Sequence, residues 1–219
     1  MGIIQYLNSE PTLFVALLIC LVFSLCFHEY AHGLVAFYCG DDTAYKKGRL
    51  TLNPLAHLDP MGSMMILFIG IGYAKPVPVN PYKLNNPRID LIKVAAAGPI
   101  SNLILTFIGI FLIHVLQPSN NEILYTFLNI FIYINAALAV FNLLPVYPLD
   151  GGQIFGNILS QKYPKFAQNL LTYGPKILFG VIIVGLLSGF SILWIIIGPL
   201  IRFIINFFEL IILTFLNLF

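Results

Sequence analysis

The chain has 219 residues, enough by length for one or two soluble domains. Hydrophobic residues make up 59 % and charged residues only 9 %, with a mean hydropathy of +0.91. A soluble domain carries about 25 % charged residues, so this composition excludes a soluble globule, a disordered tail protein and a secreted disulfide scaffold, and assigns most of the chain to lipid. The net charge of +2, with no basic stripe, gives nucleic acid no electrostatic footing. Each charge placed in lipid is costly, so the positions of the few charges and four histidines carry the information.

The first apolar run, Pro11 to Cys39, is interrupted only by His28, Glu29 and His32 and is long enough to cross the hydrocarbon core. Met1–Glu10 has no Lys or Arg, which argues against a signal peptide. Met61 to Ala74 is apolar but short, which suits a re-entrant or buried hairpin better than a span. Lys46, Lys47 and Arg49 precede it and Lys75, Lys83, Arg88 and Lys93 follow it, and positive charge collects on one side of a membrane. Gly72 to Pro81 contains three prolines and reads as extended backbone. Residues 40–90 therefore form a loop and hairpin region at the cytoplasmic face. Val94–Leu116 and Ile123–Tyr147 predict two more spans, joined by an outer link. Residues 148–176 return to the inner side, and Ile177–Ile197 and Leu200–Phe219 form a final pair broken at Gly198-Pro199. The expected fold is an all-α polytopic membrane protein of five spans, or six if 61–74 crosses, as one domain over 1–219. No internal repeat is visible, and Cys20, Cys26 and Cys39 read as free, buried, small apolar residues.

His28-Glu29-Tyr30-Ala31-His32 is an H-E-x-x-H sequence. On a helix, residues i and i+4 share a face, so His28 and His32 can hold one Zn²⁺ at about 2 Å. Glu29 is offset by about 100° and can take a proton from a zinc-bound water and pass it to a leaving amine. Two packing histidines beside a buried Glu are the bland alternative, disfavoured because three bare ionisable groups in an apolar helix cost several kcal/mol. A catalytic zinc takes a third protein ligand. His57 and Asp59 lie in a Pro-bounded loop (53–60), and His114 lies at the far end of its helix. Asp150 follows the 123–147 span on the inner side, which also holds His28 and His32, and is the best-placed third ligand. An ordinary Asp-Gly turn is its alternative.

Taken together, H-E-Y-A-H (28–32), A-A-G-P-I-S-N (96–102) and N-L-L-P-V-Y-P-L-D-G-G (142–152) resemble the site-2 protease family of intramembrane zinc metalloproteases, peptidase family M50. N-P-L-A-H-L-D-P-M-G (53–62) and A-K-P-V-P-V-N-P (74–81) resemble its compact bacterial branch. The resemblance implies a three-helix catalytic core within 11–153 and extra membrane helices over 177–219. It implies one Zn²⁺ per chain on His28, His32 and Asp150, Glu29 as general base, and Asn142 near the metal, where its amide could donate to an oxyanion. Asn142 as a helix-packing amide is the alternative. Gly98, Pro99 and Asn102 read as packing and kinking residues of the middle helix, and Gly151 and Gly152 as a tight turn behind the ligand. The Pro-rich hairpin over 72–81 could offer a strand edge to an unwound substrate. No soluble stretch exceeds about 50 residues, so neither a PDZ nor a CBS module has room. The implied partners are a transmembrane protein or peptide substrate and the bilayer, in a bacterial inner membrane with the active site toward the cytoplasm.

A metal transporter would string more acidic or His residues along a path, and this chain has one cluster. An inactive scaffold would not require Glu29. A prenyl-protein endopeptidase would want a Glu as third ligand, and Glu10, Glu122 and Glu209 lack a fitting context.

Overall fold

A computed structural model describes residues 2–70, 72–188 and 192–218. Among them the helices are, in order, α1 (Tyr6–Ser9), α2 (Pro11–Tyr38), α3 (Thr43–Lys46), α4 (Pro60–Ile69), α5 (Pro87–Leu116), α6 (Glu122–Asn142), α7 (Asp150–Leu159), α8 (Pro164–Ser188) and α9 (Ile192–Leu216), with short 3₁₀ turns between. Local chemistry sets the ends. Pro11 and Pro87 open α2 and α5 at a first turn, where a missing N–H costs nothing. The Asn121 side chain accepts the Leu124 N–H at 3.0 Å and caps α6. Asp59 caps α4 by accepting the Gly62 N–H at 2.9 Å, and Gly70 ends it with φ +87°.

Five helices, α2, α5, α6, α8 and α9, are long and apolar enough to cross a membrane. The central helix α5 packs against α2, α6, α7 and α9. Lipid removes the hydrophobic drive between helices, so close fit holds them together. Ala136 and Val140 of α6 meet Ile197 and Ile201 of α9, and Ile110, Ile132 and Ile212 join α5, α6 and α9. His114 of α5 faces Glu209 of α9 at 3.6 Å, which gives two of the lone ionisable groups in the apolar helices a partner.

Several expectations need correction. The β-hairpin over 72–81 is absent: no strand occurs among the described residues. The segment is extended, but Pro76 and Pro78 have no N–H to give a ladder, and the Lys75, Val77 and Asn80 donors go elsewhere. Lys75 N–H donates to His57 O at 2.7 Å and Asn80 N–H to Asp41 Oδ2 at 2.6 Å, while Arg49 Nη2 donates to Lys75 O at 2.7 Å. The sixth span is also absent. α4 has only ten residues, turns at Gly70, and the chain comes back along it, with Gly62 and Gly72 bare where the two backbones touch. Gly2 N–H donates to Phe68 O at 3.0 Å and ties the tip of α4 to the N-terminal segment. The predicted break at Gly198-Pro199 lies inside α9, and α8 begins as early as Pro164. Breaking a lipid-bound helix would expose several backbone groups, whereas Pro199 forfeits one hydrogen bond, so the helix runs through. α6 stops at Asn142 rather than Tyr147, and α5 starts seven residues before Val94. Of the predicted segments, residues 1, 71, 189–191 and 219 lie outside the described residues.

Candidate metal centre

The buried residues of α2 include Cys20, Ser24, His28, His32 and Ala36, a stripe with strict four-residue spacing that faces the bundle. α5 meets it with Val94, Gly98 and Asn102, also four apart and all buried. The two helices run antiparallel, so His28 pairs with Asn102 and His32 with Val94. His28 Nδ1 lies 2.6 Å from the Asn102 carboxamide oxygen, and His32 Nδ1 lies 2.6 Å from the Val94 carbonyl. Both partners accept, so each neutral ring carries its proton on Nδ1 and leaves Nε2 bare.

The two Nε2 atoms lie 3.0 Å apart. Asp150, the first residue of α7, is buried and brings Oδ2 to 3.1 Å from His28 Nε2 and Oδ1 to 3.4 Å from His32 Nε2. Asp150 Oδ2 makes no hydrogen bond despite its burial. Two lone pairs and an anionic oxygen thus point at one spot, an arrangement that repels itself unless a cation sits there. Two nitrogens on a tetrahedral zinc with bonds of about 2.05 Å would be about 3.3 Å apart, close to the spacing seen. These three residues are the one potential metal-holding group among those described.

Gly98 completes the cradle. A Cβ there would lie 2.5 Å from His28 Nε2 and 2.5 Å from His32 Nε2, so the rings lie directly on the α5 backbone. Glu29 stands outside the cluster, and its Oε2 accepts the Val77 N–H at 2.9 Å. The extended segment therefore passes directly over the predicted base. At the end of α6, Asn142 donates one amide N–H to Leu138 O at 3.0 Å.

Other candidates have structural duties. His57 is fully buried, donates from Nε2 to Thr51 O at 2.7 Å, and through its own carbonyl holds Lys75. Asp59 is the α4 cap. Cys20, Cys26 and Cys39 are free and buried, as expected. Reading the sequence missed the contacts of Gly98 and Asn102 with the imidazoles, the Val77 amide, and Asn135. A signal for the two asparagines was present, since each is an amide in an otherwise apolar span, where polar groups need partners.

The loop above the site is pinned by charge. Asp42 contacts Lys46 Nζ at 2.5 Å and Lys83 Nζ at 2.7 Å, and these two ammonium groups hold its carboxyl at about 2, against an ordinary 3.8. A lowered folded value contributes stability above pH 3.8 that is lost as pH falls through 2. The stability difference between wild type and Asp42→Asn, measured by unfolding in detergent, is expected to be full above that range and to vanish below it.

Residues 16–120 and 113–182 match the sequence profile of Peptidase family M50. The chain belongs to peptidase family M50. This M50 chain is therefore a peptidase, and its five span-length apolar helices make it an integral multi-pass membrane protein. It is 44 % identical over 162 residues to YwhC of Bacillus subtilis (strain 168), named as a candidate zinc metalloprotease, covering 71 % of this chain and 74 % of YwhC. MJ0611 of Methanocaldococcus jannaschii, named likewise, is 31 % identical over 153 residues, 69 % of this chain and 75 % of MJ0611. Rip2 of Mycolicibacterium smegmatis, also so named, is 31 % identical over 133 residues, and the match spans about half of Rip2. No solved structure matches the chain.

Proposed function

We propose that this chain is an intramembrane zinc endopeptidase that hydrolyses peptide bonds within or near transmembrane segments of membrane proteins, including leftover signal peptides. The observation that carries this reading is the convergence of two bare imidazole nitrogens and a carboxylate inside an apolar helix bundle, beside a glutamate that is not part of the cluster. His28, His32 and Asp150 would hold one Zn²⁺ per chain, the metal named for YwhC, MJ0611 and Rip2. When bound, zinc polarises the scissile carbonyl and makes a water acidic enough to ionise near neutral pH.

The remaining steps belong to the chain itself. The Val77 N–H holds one oxygen of Glu29, leaving the other to accept the proton of the attacking water and return it to the leaving amine. Asn142 gives one N–H to Leu138, and its second N–H is available for the developing oxyanion, a contact worth about 3 kcal/mol when well aimed. A helical peptide bond is shielded by its neighbours, so the substrate must unwind to reach the site. The Lys and Arg residues gathered between 46 and 93 support a reading in which this end of the bundle faces the cytoplasm of a bacterial inner membrane.

Metal content tests the ligand set. Purified in detergent, wild type should carry one zinc per chain, and His28→Ala, His32→Ala and Asp150→Asn should each lose most of it while eluting as wild type on gel filtration. Full zinc in any of the three removes that residue from the set.

A further inference from the structure

We propose that Asn102 and Asn135 form a polar relay that fixes the tautomer of His28, so that a residue of α6 sets the metal affinity of a site it does not touch. The proposal rests on the reading above that His28 is a metal ligand.

The argument follows the polarity of three consecutive hydrogen bonds. Asn135 donates from Nδ2 to the backbone carbonyl of Phe131 at 2.8 Å. A carbonyl can only accept, so the amino end of Asn135 is committed there and its Oδ1 points the other way. Asn102 lies 2.9 Å from that oxygen and must therefore offer its own NH₂, whose second hydrogen faces Ser24 O at 3.5 Å. With its amino end spent on two acceptors, Asn102 turns Oδ1 toward His28 Nδ1 at 2.6 Å. His28 must then donate from Nδ1, and the Nε2 lone pair is left aimed at Asp150 and His32.

Both asparagines are fully buried and His28 nearly so. Flipping Asn102 would set its Oδ1 against Asn135 Oδ1 and present N–H groups to His28, stabilising the ring tautomer that cannot bind metal through Nε2. The relay forbids that state. His32 reaches the same result through the Val94 carbonyl, which no side-chain change can remove. His28 is thus the ligand whose tautomer is written in side chains. A simple interhelical clasp between α5 and α6 would account for the Asn102–Asn135 bond but would be indifferent to its polarity.

That polarity is the test. Asn135→Asp keeps an acceptor facing Asn102, whereas Asn135→Leu keeps the size and removes it. In full-length protein in detergent, with Zn²⁺ affinity measured by chelator competition, we expect Asn135→Leu to bind about tenfold more weakly, Asn102→Leu on the order of a hundredfold more weakly, and Asn135→Asp within about threefold of wild type. The second measurement needs no relay variant to fold. In metal-free wild type labelled with ¹⁵N-histidine, the His28 ring, identified by its loss in His28→Ala, should show a protonated Nδ1 and a bare Nε2. Wild-type zinc affinity in Asn135→Leu, equal loss in Asn135→Leu and Asn135→Asp, or an Nε2–H tautomer of His28 in wild type each overturns the relay. Wild-type zinc affinity in His28→Ala would instead overturn the metal-site reading beneath it.

Discussion

Glu29→Gln should lower kcat for cleavage of a single-span substrate by about a thousandfold while leaving zinc content unchanged, the size of effect a general base supplies. The two halves of that expectation come from different contacts. Gln retains an oxygen that can accept the Val77 N–H, so the side chain keeps its place and residues 75–80 keep theirs. The cluster of His28, His32 and Asp150 does not include Glu29, so metal should stay. What is lost is the ability to take a proton. The measurement is cleavage in proteoliposomes alongside metal analysis of the same preparations. Equal cleavage by both proteins would sink the protease reading as stated, and loss of zinc would make Glu29 a ligand.

Gly98→Ala should empty the metal site without changing any ligand. The added methyl would lie 2.5 Å from the Nε2 atoms of both histidines. Neither ring can withdraw, because each is tied back to the same helix through Nδ1, His28 to Asn102 and His32 to Val94. α5 and α2 must therefore separate, which breaks both hydrogen bonds and turns the imidazoles out of register with Asp150. Overpacking of this kind costs about 1–3 kcal/mol in a tight interior. We expect zinc affinity to fall at least a hundredfold, on the scale of losing the groups that orient both ligands, with a lower midpoint of thermal unfolding. Gly180→Ala is the matched control, since a Cβ there meets nothing within 4 Å, and it should bind zinc as wild type does. Wild-type zinc affinity in Gly98→Ala would show that the rings do not rest on α5.

Features confined to one helix were legible in the sequence. The H-E-x-x-H spacing put His28 and His32 on one face because helical periodicity alone decides that. Asp150 could be placed with them once the spans were counted, because its helix end had to lie on their side. What crosses between helices was not legible. The pairing of His28 with Asn102 depends on the register of α2 against α5, which is set by packing and by the absence of a side chain at Gly98, so Asn102 read as a packing residue when it faces the imidazole. The β-hairpin failed for a related reason. Three prolines correctly indicated extended backbone, but where the other donors go depends on His57, Glu29 and Asp41, which approach from elsewhere in the chain. The α8–α9 boundary was missed because Gly198-Pro199 counts as a helix breaker by rules learned in water, and lipid reverses the preference.

The bond from Gly2 to Phe68 has a practical consequence. From Phe68 the chain doubles back at Gly70 and returns within nine residues to Val77, whose amide rests on Glu29. A bulky handle fused ahead of Gly2 would press on Leu67 and Phe68 at the end of α4, and through the turn at Gly70 it would disturb the segment that rests on Glu29. Purification handles for this protein belong at the C-terminal end of α9.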